Sequence, residues 1–504
     1  MITFDIIKRQ KDYLAIEKKY DLYHIEIEGV NIWQFYRTEL WNEIWVQKGS
    51  ETKGDSTRDK RGEINIGKYE EIKIFLKKAG YAFTHNNRKK IHPADVLFLT
   101  FGRKFLKNGV YIDKYTGELE TCFRDNFVII ELNRNFLLPL IPTQSQKEYY
   151  LEPLGFMTLI KSRIEIAFKK SEYKNVLKNV EKFFYKPLSE IERTFDYQID
   201  LTSFYKDMAM QILKLKRFKK SYRKLLKKVS PKVILETIPN SRHTMIINEI
   251  AKEMKIPTID LQHAFPIHNL IWNYADECGE IRQFPDYEFG YSDYFNHFMH
   301  LPISPENIKT VGLPYLERSL LTYPKSKADN RVTILFISQT PIAKQLSKLA
   351  IDIREQLDID RYRIIYKLHP AEASVWKDNL PWLYGRDDID VIDDATYETY
   401  RCFAVSDIQI GVNSTAIFEG MAYELDTYIY KTIYWEVMSD AIDLGYATLI
   451  TDCNDFIDKL RNRANVKRQS KEFFWKGNAI DNMLHEIELI SGVKGNIEKR
   501  NGIK

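Results

Sequence analysis

Polar side chains end three apolar segments in the second half of the chain, and each segment has the pattern of a buried strand. Ser338 ends VTILFIS, Lys367 and His369 lie in RIIYKLHP, and Ser414 and Thr415 follow IQIGV. Ligands of open parallel sheets bind in the crevice beyond the carboxyl ends of the strands. We therefore expect these polar groups to converge on one pocket, and their convergence is stronger evidence than any one of them.

His369 and the Ser414–Thr415 pair have the chemistry of an anion site. Pro370 cannot continue a sheet ladder, so the chain turns there and leaves the His369 imidazole at the strand tip. An imidazole in that place can donate to a phosphate oxygen or protonate a leaving phosphate. The residues after IQIGV are predicted to begin a helix, whose N-terminus offers free N–H groups and a positive dipole end. Glu419 lies one turn after Thr415 on the same face, where a carboxylate can accept from ribose hydroxyls.

Each of these residues also has a purely structural interpretation. His369 can simply cap its strand, and Glu419 can be a solvated helix residue. Ser414 and Thr415 belong to the residue types that cap helix N-termini well. For that pair the two interpretations are compatible, because a capped N-terminus still presents N–H groups to an anion.

The segments around these residues resemble known enzymes. YKLHPAE and GVNSTAIFEGMAY resemble the donor-binding half of bacterial capsule and surface-polysaccharide transferases. That group includes sialyltransferases and Kdo transferases with a His-Pro and a Ser-Ser/Thr motif, and the segments are also similar to CDP-glycerol polyol-phosphate transferases of teichoic acid synthesis. In these relatives the histidine and the Ser/Thr pair hold the donor phosphate, so the resemblance implies that role for His369, Ser414 and Thr415.

A second set of segments resembles the first domain of the same proteins. These segments are IDLQHAFPIHNLIWNY, PDYEFGYSDYF and VGLPYLE. The relatives often have Gln-His-Gly where this chain has Gln262-His263-Ala264, which puts a close backbone approach at that turn in doubt. The resemblance covers roughly residues 230–460 and implies the GT-B fold and the broad donor class, whereas the first 230 residues match only loosely.

The function that the resemblance implies is glycosyl transfer from a nucleotide-activated sugar to a bacterial surface or capsular polysaccharide. A CMP-linked donor is favoured, because the His-Pro and Ser/Thr motifs resemble those of CMP-sugar enzymes. The expected partners are the nucleotide-sugar and a glycan or lipid-linked glycan acceptor. Two alternatives stay open: a phosphotransferase that uses a CDP-polyol (glycerol or ribitol), and a non-catalytic scaffold with the GT-B shape.

Such a transferase needs a group that deprotonates the acceptor hydroxyl. Glu236 and His263 each lie near the carboxyl end of a predicted strand in the first half, and they are the predicted catalytic pair; Asp113 ranks below them. No DxD-type acidic pair stands out at a strand end, and we interpret the charged segment 386–390 as solvated. Because His369, a helix end and Lys367 can hold phosphate, we expect no metal and no other cofactor.

The elements that must position these residues alternate between strand and helix patterns. Apolar runs predict strands at 94–101, 127–132, 232–237, 257–264, 332–338, 363–370, 389–393, 408–412 and 426–431, and a strand followed by a turn at 288–295. Helical segments separate most of them, which predicts parallel doubly wound sheets. The predicted fold class is therefore α/β and GT-B-like, with two Rossmann-like domains facing across a cleft.

The predicted domains follow from where these series begin and end. Residues 1–320 form an N-terminal acceptor domain, with a mobile linker at 49–63 and a mostly helical insertion at 155–230. Residues 321–470 form the nucleotide-donor domain, and 471–504 form a C-terminal helix and basic tail.

Composition and charge limit the cellular setting. The four cysteines are far apart and the first residues lack the apolar run of a signal peptide, which favours the cytoplasm. The segment 208–232 has ten Lys or Arg and no Asp or Glu, with apolar residues at helical spacing. This basic amphipathic helix can rest on an anionic membrane surface at the inner face of the plasma membrane, or it can pack with a solvated basic face. Nucleic-acid binding is disfavoured, because no recognised module accompanies the charge.

Overall fold

The computed structural model describes residues 6–51, 91–132 apart from 108, 148–327 apart from 268, 329–393, 399–462 and 473–496, with single helical positions at 73, 76, 77 and 80. The chain divides into two compact units. The first unit contains Lys8–Gly290, Phe298–Lys309 and Ile480–Lys504; the second contains Met1–Ile7, Tyr291–His297 and Thr310–Ala479.

The first 310 residues contain the first sheet and a layer of long helices. In chain order the elements are α1 (Ile6–Lys19), β1 (Glu26–Ile27), β2 (Val30–Asn31), α2 (Arg37–Glu51), β3 (Val96–Thr100), β4 (Lys104–Lys107), β5 (Val110–Asp113), α3 (Gly117–Glu120), β6 (Phe127–Glu131), β7 (Glu148–Tyr150), α4 (Glu152–Phe168), α5 (Lys170–Phe195), α6 (Leu201–Val229), β8 (Val233–Glu236), α7 (Arg242–Glu253), β9 (Thr258–Leu261), β10 (Tyr287–Gly290), α8 (Asp293–Asn296) and β11 (Ile308–Thr310). Helix α2 continues to Glu51, so the first three residues of the predicted linker at 49–63 are helical, and the rest of that linker lies outside the described residues.

The seven-stranded sheet of the first unit has the order β11-β10-β9-β8-β3-β6-β7. The pairings from β10 through to β7 are parallel. Strands β3, β6 and β8 are buried along their whole length, as their near-continuous apolar sequences predict for a parallel sheet covered on both faces. If β3 is counted as the first strand, the sheet has the Rossmann strand order with one strand added at an edge. The strand order reverses between β3 and β8, which is the position where such sheets bind ligands.

Helices α4, α5 and α6 occupy the region 155–230, for which the sequence predicted mostly helix. Helix α6 begins at an Asp200 cap, whose side chain accepts from the Ser203 N–H, and it buries a long apolar face. At least five of the ten cations in segment 208–232 form ion pairs with described residues: Lys216 with Glu28 and Glu172, Arg217 with Glu165, Lys219 with Glu249, Arg223 with Glu253, and Lys232 with Asp95. At least half of the cations on the expected basic face are therefore paired with neighbouring carboxylates.

The remaining residues form the second sheet and its helices, followed by a last helix that belongs to the first unit. The elements are α9 (Pro314–Thr322), β12 (Val332–Ile337), α10 (Ala343–Gln356), β13 (Tyr362–Lys367), α11 (Trp376–Asn379), β14 (Asp390–Ile392), α12 (Thr399–Val405), β15 (Ile408–Gly411), α13 (Thr415–Met421), β16 (Asp426–Tyr430), α14 (Ser439–Asp443), β17 (Thr448–Ile450), α15 (Cys453–Asn462) and α16 (Ala479–Ser491). In the described ranges, no helix is both long enough and apolar enough to cross a bilayer.

The six-stranded sheet of the second unit is parallel throughout, in the order β14-β13-β12-β15-β16-β17. Counted from β12, this is the Rossmann order 3-2-1-4-5-6, whose direction reverses between β12 and β15. Residues of β12, β13 and β15 pack with helices α10 and α15 into one buried apolar cluster. Two Rossmann-type parallel sheets in one chain confirm the predicted α/β, GT-B-like fold class.

Candidate functional site

The carboxyl ends of three strands are joined by hydrogen bonds where the second sheet reverses its strand order. The Ser338 N–H, after β12, donates to the carbonyl of Lys367 at the end of β13 (3.0 Å). The Asn413 N–H, after β15, donates to the Gln339 side-chain oxygen (3.4 Å). The structure therefore brings together the three strand ends that the sequence singled out, at the position where parallel sheets bind ligands.

The loop after β13 presents His369 to solvent. Its Nδ1 accepts from the Ala371 N–H (3.2 Å), so in the neutral imidazole the proton lies on Nε2. The same loop is closed by Glu372, whose carboxylate accepts from the His369 N–H (2.9 Å) and whose own N–H donates to the His369 carbonyl (2.8 Å). An exposed Nε2–H on a loop held by three hydrogen bonds is a positioned donor for a ligand oxygen.

Glu372 supports the His369 loop and was not among the residues predicted from the sequence. The side chain of Glu372 is buried, and burial raises the pKa of its carboxyl. Hydrogen bonds from the His369 N–H and from Ser338 favour the ionised carboxylate and partly offset that effect. Ser338 is buried as well, and its hydroxyl accepts from the Tyr366 hydroxyl (3.1 Å). The signal for Glu372 was a carboxylate three residues after the histidine, the spacing at which a side chain reaches back to a turn's N–H groups.

The Lys367 side chain is buried rather than extended into solvent. Its Nζ donates to the Leu368 carbonyl (3.3 Å). The positive charge of Lys367 lowers the pKa of the Glu372 carboxyl, although burial has the larger, opposite effect. Lys367 therefore contributes positive potential at this edge of the sheet.

Ser414 and Thr415 begin helix α13, as predicted. The Ser414 hydroxyl accepts from the Ala416 N–H (3.2 Å), so Ser414 is the N-cap, and Thr415 is the first helical residue. Both side chains are half-buried. The capping interpretation of Ser414 is thus observed directly, and the anion interpretation of the pair stays a prediction.

Glu419 is buried, so the interpretation of Glu419 as a solvated helix residue is wrong. Its carboxylate accepts from the Tyr400 hydroxyl of α12 (2.8 Å). Tyr400 in turn packs edge-on against Tyr315, with ring centroids 5.2 Å apart. The carboxylate therefore ties helix α13 to helix α12.

Helix α13 lies unusually close to strand β15. A Cβ on Gly420 would lie 2.0 Å from the Gln409 side-chain oxygen, and a Cβ on Gly411 would lie 2.4 Å from the Ile417 Cδ1. The Gln409 amide donates to the Ile417 carbonyl (2.7 Å) and to the Thr427 hydroxyl (2.8 Å). These glycines allow the close packing that sets where the N-terminus of α13 lies.

In the first unit, His263 lies two residues beyond the end of β9 with its ring enclosed. The ring is edge-on to Tyr115 and 4.9 Å from Trp272 between centroids. Among the described residues, its Nδ1 is buried and has no hydrogen-bond partner. Burial, and secondly the charge of Arg103, lower the pKa of His263 to about 3, so the ring is neutral at physiological pH.

Glu236 ends β8 and belongs to a row of buried carboxyls. It pairs in register with Asp260 of β9, and Asp260 pairs with Glu288 of β10, so the three side chains share one face of the sheet. Burial, then the neighbouring carboxyls, raises the pKa of Glu236 and of Asp260 well above the ordinary range; burial raises the pKa of Glu288 to about 8. The Glu236 carboxyl accepts from Asn248 (2.8 Å) and is fully enclosed. The structure does not bring it into contact with His263.

Asp113 lies in a second buried group of charges, beside the ends of β3 and β6. Its carboxylate accepts from the N–H groups of Tyr115 (2.9 Å) and Thr116 (3.1 Å), and burial raises its pKa. Lys104 forms ion pairs with Glu131 and Glu148 in the same group. Asp113 therefore supports the turn that carries Tyr115.

Within the described part of the chain, no three His, Cys, Asp or Glu side chains are arranged to hold a metal ion. The four cysteines are buried and form no disulfide with one another. The expectation that the reaction needs no metal stays a prediction.

The chain matches no family model and no curated protein. Among solved structures it is similar to the UDP-GlcNAc 2-epimerase from Methanocaldococcus jannaschii, at 12% identity over 78% of this chain and 99% of that one, with a TM-score of 0.46. The enzyme of the same name from Neisseria meningitidis, bound to UDP-GlcNAc, shows 12% identity over 60% and 88%, with a TM-score of 0.40. The wall teichoic acid polymerase TagF shows 12% identity over 86% and 97%, with a TM-score of 0.43. These similarities are distant, and no family follows from them.

Proposed function

We propose that the protein is a glycosyltransferase that binds a nucleotide-activated sugar at the carboxyl edge of its second sheet. The observation that carries the proposal is the joining of three polar strand ends at the reversal of strand order, through Ser338, Lys367 and Asn413. The His-Pro and Ser/Thr motifs on two of these ends favour a CMP-linked donor. The proposed acceptor is a bacterial surface or capsular glycan.

In this proposal His369 and the start of α13 hold the donor phosphate. The exposed Nε2–H of His369 donates a hydrogen bond to a phosphate oxygen and stabilises the negative charge that the leaving phosphate gains as the glycosidic bond breaks. The N–H groups at the first turn of α13 and the buried ammonium of Lys367 add positive potential. Glu419 is the proposed acceptor for ribose hydroxyls, in competition with the Tyr400 hydroxyl that it holds here.

The acceptor hydroxyl needs a base, and we assign that role to His263 in the first unit. Its pKa of about 3 means that the ring is already deprotonated at neutral pH. The buried Nδ1 has no partner within the described ranges, so it can accept a hydrogen bond from the acceptor hydroxyl, and the bound acceptor must raise the low pKa of the ring before the proton transfers. Glu236 stays the second candidate base: it is fully buried, one carboxyl oxygen accepts from Asn248, and the other has no hydrogen-bond partner among the described residues.

A lipid-linked acceptor would place the protein at the cytoplasmic face of the membrane. Lys220, Lys224 and Lys227 are exposed along one stripe of α6, at the helical spacings i, i+4 and i+7. Such a stripe can rest on anionic headgroups, each cation contributing up to about 1 kcal/mol. The proposed association is peripheral and weakened by the ion pairs elsewhere on the helix.

The experiment is a thermal-shift panel with CMP, CDP, UDP and GDP, because a ligand that binds only the folded protein raises its apparent stability. We expect a cytidine nucleotide to give the largest shift. Donor assays with CMP-sugars and CDP-glycerol then separate sugar transfer from polyol-phosphate transfer. A panel in which no nucleotide shifts the melting temperature would refute the donor site and favour the scaffold.

A further inference from the structure

We propose that the first unit contains a subsite for a negatively charged group of the acceptor, a phosphate or a carboxylate, formed by Arg103, Lys114 and His263. The inference rests on the proposed transferase function and adds the charge class of the acceptor. It concerns residues of the first unit near the carboxyl ends of β3 and β9, whereas the proposed donor-binding residues belong to the second unit.

A short hairpin brings the two cations together. Strands β4 and β5 pair antiparallel, with Lys104 opposite Asp113, so Arg103 and Lys114 emerge side by side at the open end of the hairpin. The Lys114 N–H donates to the Arg103 carbonyl (2.9 Å), and this hydrogen bond holds the two residues next to each other. Because Arg103 comes three residues after the end of β3, the hairpin holds both cations at the edge of the sheet where ligands bind.

Arg103 is positioned but not neutralised. One guanidinium nitrogen donates to the Tyr115 hydroxyl and to the His263 carbonyl, at 3.4 Å each, and the side chain is exposed. Across the residues that the structure describes, this guanidinium forms no ion pair with a carboxylate, whereas neighbouring Lys104 pairs with both Glu131 and Glu148. A guanidinium with donors left over matches the planar, two-oxygen edge of a phosphate or carboxylate.

His263 and Tyr115 complete the subsite. The Tyr115 hydroxyl donates to the His263 carbonyl (2.8 Å), and the Lys114 ammonium lies 5.9 Å from the Tyr115 ring. The ring of His263 is buried with an orphaned Nδ1, beside the charge of Arg103 that disfavours its protonation. An anion on Arg103 would offset that charge, so the bound acceptor itself would make His263 a better base.

The experiment follows the imidazole resonances of nitrogen-labelled histidine in the full-length protein by NMR. Signals of His263 and His369 are assigned with the variants His263→Gln and His369→Gln. The probes are glycerol 3-phosphate and glucuronate, with glycerol and glucose as their neutral counterparts. Arg103→Gln and Lys114→Gln test the subsite, and Arg282→Gln removes an exposed arginine elsewhere in the same unit as the matched control.

We expect both anions to shift the His263 signals and the neutral probes to leave them unchanged, and the tighter anion identifies the natural group. Arg103→Gln should weaken the binding by about 10-fold or more, the effect of losing a charge-assisted pair, while Arg282→Gln should not. A His263 signal that ignores both anions, or that responds equally in Arg103→Gln, would overturn the subsite. The His369 signal, titrated with nucleotide in the same samples, reports the failure or success of the donor site separately.

Discussion

Gly420 in helix α13 is predicted to be one of the least replaceable small residues of the second unit. A methyl group there would lie 2.0 Å from the Gln409 side-chain oxygen and 2.6 Å from its Cδ, far inside van der Waals contact. The Gln409 amide cannot rotate away at low cost, because it donates to Ile417 and Thr427 in a fully buried position. Gly420→Ala must therefore displace either the amide or the helix.

The expected cost follows from these contacts. Losing two buried hydrogen bonds costs roughly 1 kcal/mol each, and overpacking costs about 1–3 kcal/mol more. Alanine recovers about 0.5–1 kcal/mol through its better helix propensity. The net loss in the free energy of unfolding should be about 2–4 kcal/mol, which is the sum of these contributions.

The assay is urea unfolding of the full chain, with Gly155→Ala as the matched control. Gly155 is also a helical glycine, but a Cβ there would have no atom within 4 Å among the described residues outside its own helix backbone. Gly155→Ala should therefore be neutral or stabilising by up to about 1 kcal/mol. In the double variant with Gln409→Ala, the methyl group has room, so the two changes should cost less than the sum of their separate effects. Wild-type stability in Gly420→Ala would refute the close packing of α13 on β15.

Three further predictions concern other groups. Burial raises the pKa of Glu120 to about 8, so the folded protein keeps a proton that the unfolded chain releases near its ordinary pKa. This group should lower the stability by a few kcal/mol as the pH rises from about 5 to 8. In urea titrations at each pH, Glu120→Gln should make the fall smaller than in wild type, while Glu236, Asp260 and Glu288 still contribute their share. Ser414→Ala removes the observed helix cap and should lower the free energy of unfolding by about 1 kcal/mol. If Ser414 also binds the donor phosphate, the nucleotide affinity measured by calorimetry should fall as well. An unchanged affinity would limit Ser414 to capping the helix. Changing Lys220, Lys224 and Lys227 to Glu should abolish co-sedimentation with anionic vesicles at low salt, and a wild-type protein that ignores such vesicles would disprove the membrane association.

Most of the sheets could be predicted from the sequence, because buried parallel strands have continuous apolar runs. The predicted strand at 332–338 corresponds to β12 and the one at 408–412 to β15, within two residues. The hairpin β4–β5 and the edge strands β7 and β17 were missed. Each of these strands has only three or four residues, and KFLK and EYY have lysine or glutamate where a core strand would have apolar side chains.

The candidate site could be predicted only as far as local sequence fixes it. Strand ends placed Ser338, His369 and Ser414 at one edge of the sheet, because the carboxyl ends of parallel strands meet there. The hydrogen bond between Tyr400 and Glu419 could not be predicted from the sequence, because it joins two helices that meet only through tertiary packing. Arg103 was missed because its position depends on the hairpin that follows it.

The central claim is that His369 and the strand ends beside it hold the phosphate of a nucleotide donor. Isothermal titration calorimetry with the nucleotide that gives the largest thermal shift tests it most directly, on wild type, His369→Ala and His485→Ala. His485 is an exposed histidine on α16 of the first unit and serves as the matched control. We predict that His369→Ala weakens binding by about 1.5–3 kcal/mol, the value of a charge-assisted hydrogen bond, while His485→Ala binds as wild type does. Equal affinity in His369→Ala and wild type would contradict the claim.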